Sequence, residues 1–152
     1  MEEEKPRYYI DERWYTDHSK SFRAVALTRL CTTCRRKLGT EVQERVPTVD
    51  GRGRVVFEMR SVPFASSPLS VIRNDCSKQR EYITPETPLA EAIFRVFLAN
   101  SNQPTDVEGI REQLGNYISL ASRPHGYAPE LIASIVENDH LYGFKRFEMV
   151  PA

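Results

Sequence analysis

The sequence predicts an α+β protein, strand-rich over residues 1–86 and helical over 87–152. Three observations carry this. The apolar residues switch to a helical period at Thr87; Asp50-Gly51 joins two alternating runs in a hairpin pattern; and residues 29–39, RLCTTCRRKLG, pair two cysteines at a metal-ligand spacing ahead of three cations.

The elements follow in order. RYYIDERWYTD, residues 7 to 17, is aromatic and partly alternating, which predicts a strand, whereas SFRAVALTRL, residues 21 to 30, suits a strand or a short helix. The runs flanking Asp50-Gly51 predict a hairpin with a loose loop, with Val55, Phe57 and Met59 on one side and Glu58 and Arg60 on the other. SVPFASSPLS, residues 61 to 70, is rich in Ser and Pro and predicts an irregular connection. Thr87 and Pro88 then open a helix with Leu89, Ala92, Ile93, Val96 and Phe97 on one stripe. A capping box from Thr105 to Glu108 starts a second, stopped at Gly115. APELIASIVEN forms a third, with Pro129 near its start and Leu131, Ile132, Ile135 and Val136 on its stripe, and LYGFKRFEMV, residues 141 to 150, a turn and terminal strand. Ile93, Phe97, Ile110, Leu114, Leu131 and Ile135 should pack together.

Composition limits the function classes. With 40% hydrophobic and 28% charged residues and no apolar run near the roughly 20 residues of a membrane span, the chain predicts no membrane insertion. MEEEKPRYY lacks the basic start and apolar stretch of a secretory signal, so the expected location is cytoplasmic and reducing, where a structural disulfide is the least expected use of the cysteines. Net charge is zero but uneven. The first 86 residues hold 16 Lys and Arg against 13 Asp and Glu, a difference of +3, and the remainder hold 5 against 8, a difference of −3. Between Asp17 and Glu41 lie Lys20, Arg23, Arg29, Arg35, Arg36 and Lys37 with no acid.

Cys31 and Cys34 can aim two thiolates at one ion, and Cys76 supplies a third. RLCTTCRRKLG resembles the first knuckle of zinc-ribbon proteins, and the three helices followed by a strand resemble a winged-helix unit. The first resemblance implies a structural Zn2+ and covers about a dozen residues. Neutral His18 is the preferred fourth ligand, with Asp75, next to Cys76, as the alternative. The same residues also admit three buried thiols or a redox dithiol.

The cations can grip phosphates: Arg35, Arg36 and Lys37, extended by Arg29, Arg23 and Lys20, with Tyr8, Tyr9, Trp14, Tyr15 and Phe22 available to stack on bases. The plainer reading makes the cations a solvated face and the aromatics a small core. The last helix is acidic at Glu130, Glu137 and Asp139, which argues against its entering a groove. His125 and His140 have no nucleophile beside them and read as surface or structural residues. No phosphate-binding Gly-rich loop, nucleophile elbow or His-Glu-X-X-His motif is present. The expected function is therefore a non-enzymatic, zinc-stabilised binding or adaptor protein that contacts nucleic acid or a ribonucleoprotein through the basic knuckle. The alternatives are a protein–protein module whose basic face meets an acidic partner, and a thiol oxidoreductase using Cys31 and Cys34.

Overall fold

A computed structural model describes residues 5–122 and 127–148, leaving His125 and the last residues of the expected terminal strand outside. The chain is α+β, as the sequence predicts. Strand β1 (Arg7–Ile10) leads into three short helices, α1 (Glu12–Asp17), α2 (Phe22–Leu27) and α3 (Thr32–Arg36). A long hairpin follows, β2 (Glu41–Val49) and β3 (Val55–Pro63), then α4 (Pro68–Asn74) and a 3-10 turn, Cys76–Lys78. The second half contains α5 (Leu89–Ala99), β4 (Thr105–Asp106), α6 (Val107–Leu114), a 3-10 turn at Leu120–Ser122, α7 (Pro129–Glu137) and β5 (Phe144–Arg146).

The first part is less strand-rich than expected, because local caps override the strand-like pattern. The Asp11 carboxylate accepts the Arg13 N–H at 3.0 Å, turning residues 12–17 into helix, and Ser21 Oγ accepts the Ala24 N–H at 3.1 Å to start α2. Pro68 at the first helical position makes α4 from residues expected to be irregular. Two caps also differ by a residue. Thr87 Oγ1 accepts the Thr84 N–H, so Pro88 flanks α5, and Asp106 rather than Thr105 caps α6 through the Gly109 N–H at 2.7 Å, leaving Thr105 free to pair with Tyr8 in β4.

Strand β1 is the middle of a three-stranded antiparallel sheet, β4-β1-β5, so the start of the chain is built into its end. One apolar core runs through both parts, from Tyr8, Ile10 and Tyr15 to Ile72, Ile83, Phe94, Phe97 and Leu114. Ile93, Phe97, Ile110 and Leu114 are buried as expected, and of the expected α7 stripe Ile132 and Val136 turn inward, while Ile135 is half-buried and Leu131 exposed. This fits the i, i+4 pair 132/136 as the inward ridge, a rotation that two adjacent Leu-Ile and Ile-Val pairs leave open in sequence.

Asn102 fastens β1 to the helical part. Its backbone is left-handed, φ 57°, a region Asn tolerates, and its amide bridges Ile10: Oδ1 accepts the Ile10 N–H at 2.8 Å and Nδ2 donates to the Ile10 carbonyl at 2.9 Å. Asn102→Ala is expected to leave both buried groups unpaired and cost about 2 kcal/mol, read as a shifted urea midpoint at unchanged slope.

Candidate metal centre

Cys31 ends the turn after α2 and stands at the N-terminal cap of α3; Cys34 is one turn along that helix; Cys76 begins the 3-10 turn after α4. The three sulfurs lie within 4.8 Å of one another and can hold a metal ion. Two thiolates bound tetrahedrally to zinc at about 2.3 Å stand about 3.8 Å apart, so the cluster has the right scale. Cys34 and Cys76 are fully buried and Cys31 is half-buried.

The Cys31 N–H donates to Cys76 Sγ at 3.1 Å, a contact that favours a thiolate there, and Cys34 Sγ donates to Asp75 Oδ2 at 3.1 Å. Burial pushes the Cys34 thiol up, and the adjacent Asp75 carboxylate raises it further, so without a cation Cys34 keeps its proton. Burial likewise raises Cys76. Burial also acts to raise Cys31, but hydrogen bonds from the Cys34 N–H and from the other two thiols outweigh it and hold Cys31 below its ordinary value. Burial holds Cys34 and Cys76 protonated, and a divalent cation at the sulfurs would supply the charge that lets them ionise.

The knuckle is a short helix with Cys31 at its cap and Cys34 one turn along it. His18 is not in the cluster. Its Nδ1 lies 2.7 Å from the Trp14 carbonyl, and its ring stacks on the Trp14 indole with centroids 4.4 Å apart. Asp75 touches Cys34 Sγ because the chain bends between α4 and the 3-10 turn at that residue, so Asp75 and Cys76 both approach Cys34 despite being adjacent.

A cluster that the sequence did not reveal fixes the loop entering the site. Glu91 of α5 accepts from Arg29 Nε at 3.1 Å and Nη2 at 2.7 Å, from Arg95 Nε at 2.9 Å and from the Tyr142 hydroxyl at 3.3 Å. Arg95 donates onward to the Tyr82 carbonyl at 2.8 Å. Arg29 lies two residues before Cys31 and Tyr82 six after Cys76, so one carboxylate on α5 secures both chain segments that carry the sulfurs. A cavity of about 160 Å³ opens beside them, lined by Arg29, Cys31, Thr32, Arg35, Cys76 and Arg95.

The basic knuckle is largely committed to its own fold. Arg23 donates to the Ser66 and Ala65 carbonyls at 2.6 and 3.0 Å, Arg35 to those of Leu30 and Thr28, and Arg29 to Glu91 while its guanidinium lies over the Phe94 ring. Lys20 and Lys37 sit over the rings of Trp14 and Phe64. Arg29 alone of the six is half-buried; Lys20, Arg23, Arg35, Arg36 and Lys37 are exposed, as is His140. Of the aromatics, Tyr8, Tyr15 and Phe22 are core residues.

The chain matches no known family model, no curated protein and no solved structure. Among the described residues, no helix is long and apolar enough to cross a membrane.

Proposed function

We propose that Cys31, Cys34 and Cys76 hold a structural zinc ion with Asp75 as the fourth ligand, and that the chain is a non-enzymatic binding protein whose partner is nucleic acid. The convergence of three sulfurs from two separate chain segments onto one buried point carries this reading. Zinc suits a largely buried thiolate set with a carboxylate at its edge, since it needs four ligands and no redox change. The ion would join α3 to the end of α4 across the base of the hairpin, so its role is to fix the parts that flank that element. The order of α5, β4, α6, α7 and β5, with β1 completing the sheet, supports a winged-helix-like reading of the second part. Its last helix carries Glu130 and Glu137 and no cation, so phosphates are met elsewhere.

Elemental analysis of protein purified without chelator is expected to find about one zinc per chain. Metal-free, folded protein would overturn the proposal.

A thiol oxidoreductase is the second reading, favoured by the half-buried Cys31 at the start of α3 with Cys34 buried behind it. It requires a Cys31–Cys34 disulfide that forms and reduces reversibly. Zinc occupancy predicts instead that both thiols resist alkylation until the metal is chelated.

A further inference from the structure

The β2-β3 hairpin stands apart from the core. Each strand has nine residues, about 30 Å at 3.4 Å per residue. A two-stranded ribbon is marginal alone in water, and this one leaves apolar side chains uncovered: Val49 is 66% exposed, Val55 67%, Phe57 56% and Met59 63%. The register puts them on one face. Arg45 is paired with Met59, Pro47 with Phe57 and Val49 with Val55 at alternate positions, and all six residues are exposed, whereas Val46 and Thr48 on the opposite face are half-buried. Farther toward the base, the open face carries Gln43 and Glu41.

The ribbon is electrically balanced. Residues 41–63 hold Arg45, Arg52, Arg54 and Arg60 against Glu41, Glu44, Asp50 and Glu58. Arg54 pairs with Asp50 at 3.8 Å, Arg60 with Glu58 at 3.3 Å, and the Arg45 guanidinium lies 4.3 Å from the centre of the Phe57 ring. Besides Arg45, three charges of the ribbon have no ion-pair partner among the described residues: Glu41 and Glu44 near the base, and Arg52 at the tip. The uncompensated acids and the uncompensated tip cation thus stand at opposite ends.

We infer that a second copy of this chain covers the open face, the two hairpins packing antiparallel about a two-fold axis at the Pro47/Phe57 pair. Such an interface must be self-complementary, because each copy presents the same patch. The spacing meets that condition. Val49 and Val55 lie two residues from the Pro47/Phe57 pair toward the tip, and Arg45 and Met59 two residues toward the base, so the axis sets the valines of each copy against Met59 and the Arg45 stem of the other. Glu41 lies six residues from Pro47 toward the base and Arg52 five toward the tip, so the same axis brings these opposite charges to one level at both ends. The six exposed side chains of the face offer on the order of 600 Å² per copy, about 1,200 Å² for the pair, the lower bound for a stable specific interface. Stacking two ribbons also supplies the further strands that one alone lacks. The chain's net charge is zero, so two copies approach without repulsion, whereas a strongly charged partner meets no net charge on the ribbon. The inference is independent of the nucleic-acid reading and of the metal site.

Light scattering of the full chain from about 1 to about 100 μM tests this. The wild type is expected to reach twice the 17.5 kDa of one chain, with a thermal midpoint that rises with protein concentration. Phe57→Asp and Val55→Asp should each raise the dimer dissociation constant about a hundredfold. Both side chains lie in solvent in the single chain, so the variants should keep the circular dichroism spectrum of a folded protein. Glu41→Arg and Arg52→Glu should each weaken association about tenfold by setting like charges together at both ends, and the double variant Glu41→Arg/Arg52→Glu should restore it. A wild type that stays monomeric throughout the range overturns the inference, as does a dimer that survives both Phe57→Asp and Val55→Asp. If those two variants abolish the dimer but the double charge reversal restores nothing, the face stands and the antiparallel arrangement falls.

Discussion

Cys34→Ser is expected to abolish metal retention and leave the chain without cooperative unfolding. Cys34 is fully buried, touches Asp75, and lies in a five-residue helix that could not persist alone. Structural zinc contributes about 10–16 kcal/mol to the folding of small domains, against a net stability of about 5–15 kcal/mol for a typical protein, so losing the site removes most or all of the margin. Inert thiols would behave quite differently, since exchanging one buried sulfur for oxygen in a packed core costs about 1–3 kcal/mol and leaves a cooperative transition. Circular dichroism melts of wild type and variant, with and without chelator, distinguish the two: chelated wild type should match the variant.

Glu91→Ala should cost about 3 kcal/mol, because it strands Arg29 and Arg95 in a site where their side chains are only 20% and 25% exposed. Burial raises the Glu91 pKa, but hydrogen bonds from Arg29 and Arg95 lower it more, so the carboxyl titrates below its ordinary range. The sign follows: a depressed folded-state pKa contributes stability that is full above the unfolded value, near 4.3, and is lost as pH falls through the folded value. The stability gap between wild type and Glu91→Gln should therefore be constant from neutral pH down to about 5 and shrink below it. A gap that grows on acidification would show that Glu91 is not held as a carboxylate by its arginines.

The cysteine triad was legible because ligand spacing is a local property, and even the 41-residue separation of Cys34 from Cys76 is bridged by the Asp50-Gly51 hairpin the sequence predicts. The helices from Leu89 onward were legible for the same reason: strong apolar period, clear stops. Residues 12–36 were not, since their aromatics satisfy a strand pattern while single side-chain caps at Asp11 and Ser21 decide for helix. His18 drew attention as a ligand by residue type, yet its pairing with Trp14 four residues earlier is set by α1, an element the pattern did not predict. The arginine run shows another limit of sequence. Charge counts say nothing about which carbonyls a guanidinium will reach, and Arg23, Arg29 and Arg35 each reach some in the fold. The exposure of the β2-β3 hairpin was equally hidden, because its alternating apolar residues look like those of a strand that packs on a core.

X-ray absorption at the zinc edge of the protein as purified reads the first coordination shell directly. The expected spectrum is that of one ion with three sulfurs at about 2.3 Å and one oxygen at about 2.0 Å, the oxygen replaced by a water or lost in Asp75→Ala while the three sulfurs stay. A shell with fewer than three sulfurs, a histidine pattern, or no bound zinc would contradict the assignment of Cys31, Cys34, Cys76 and Asp75 as its ligands.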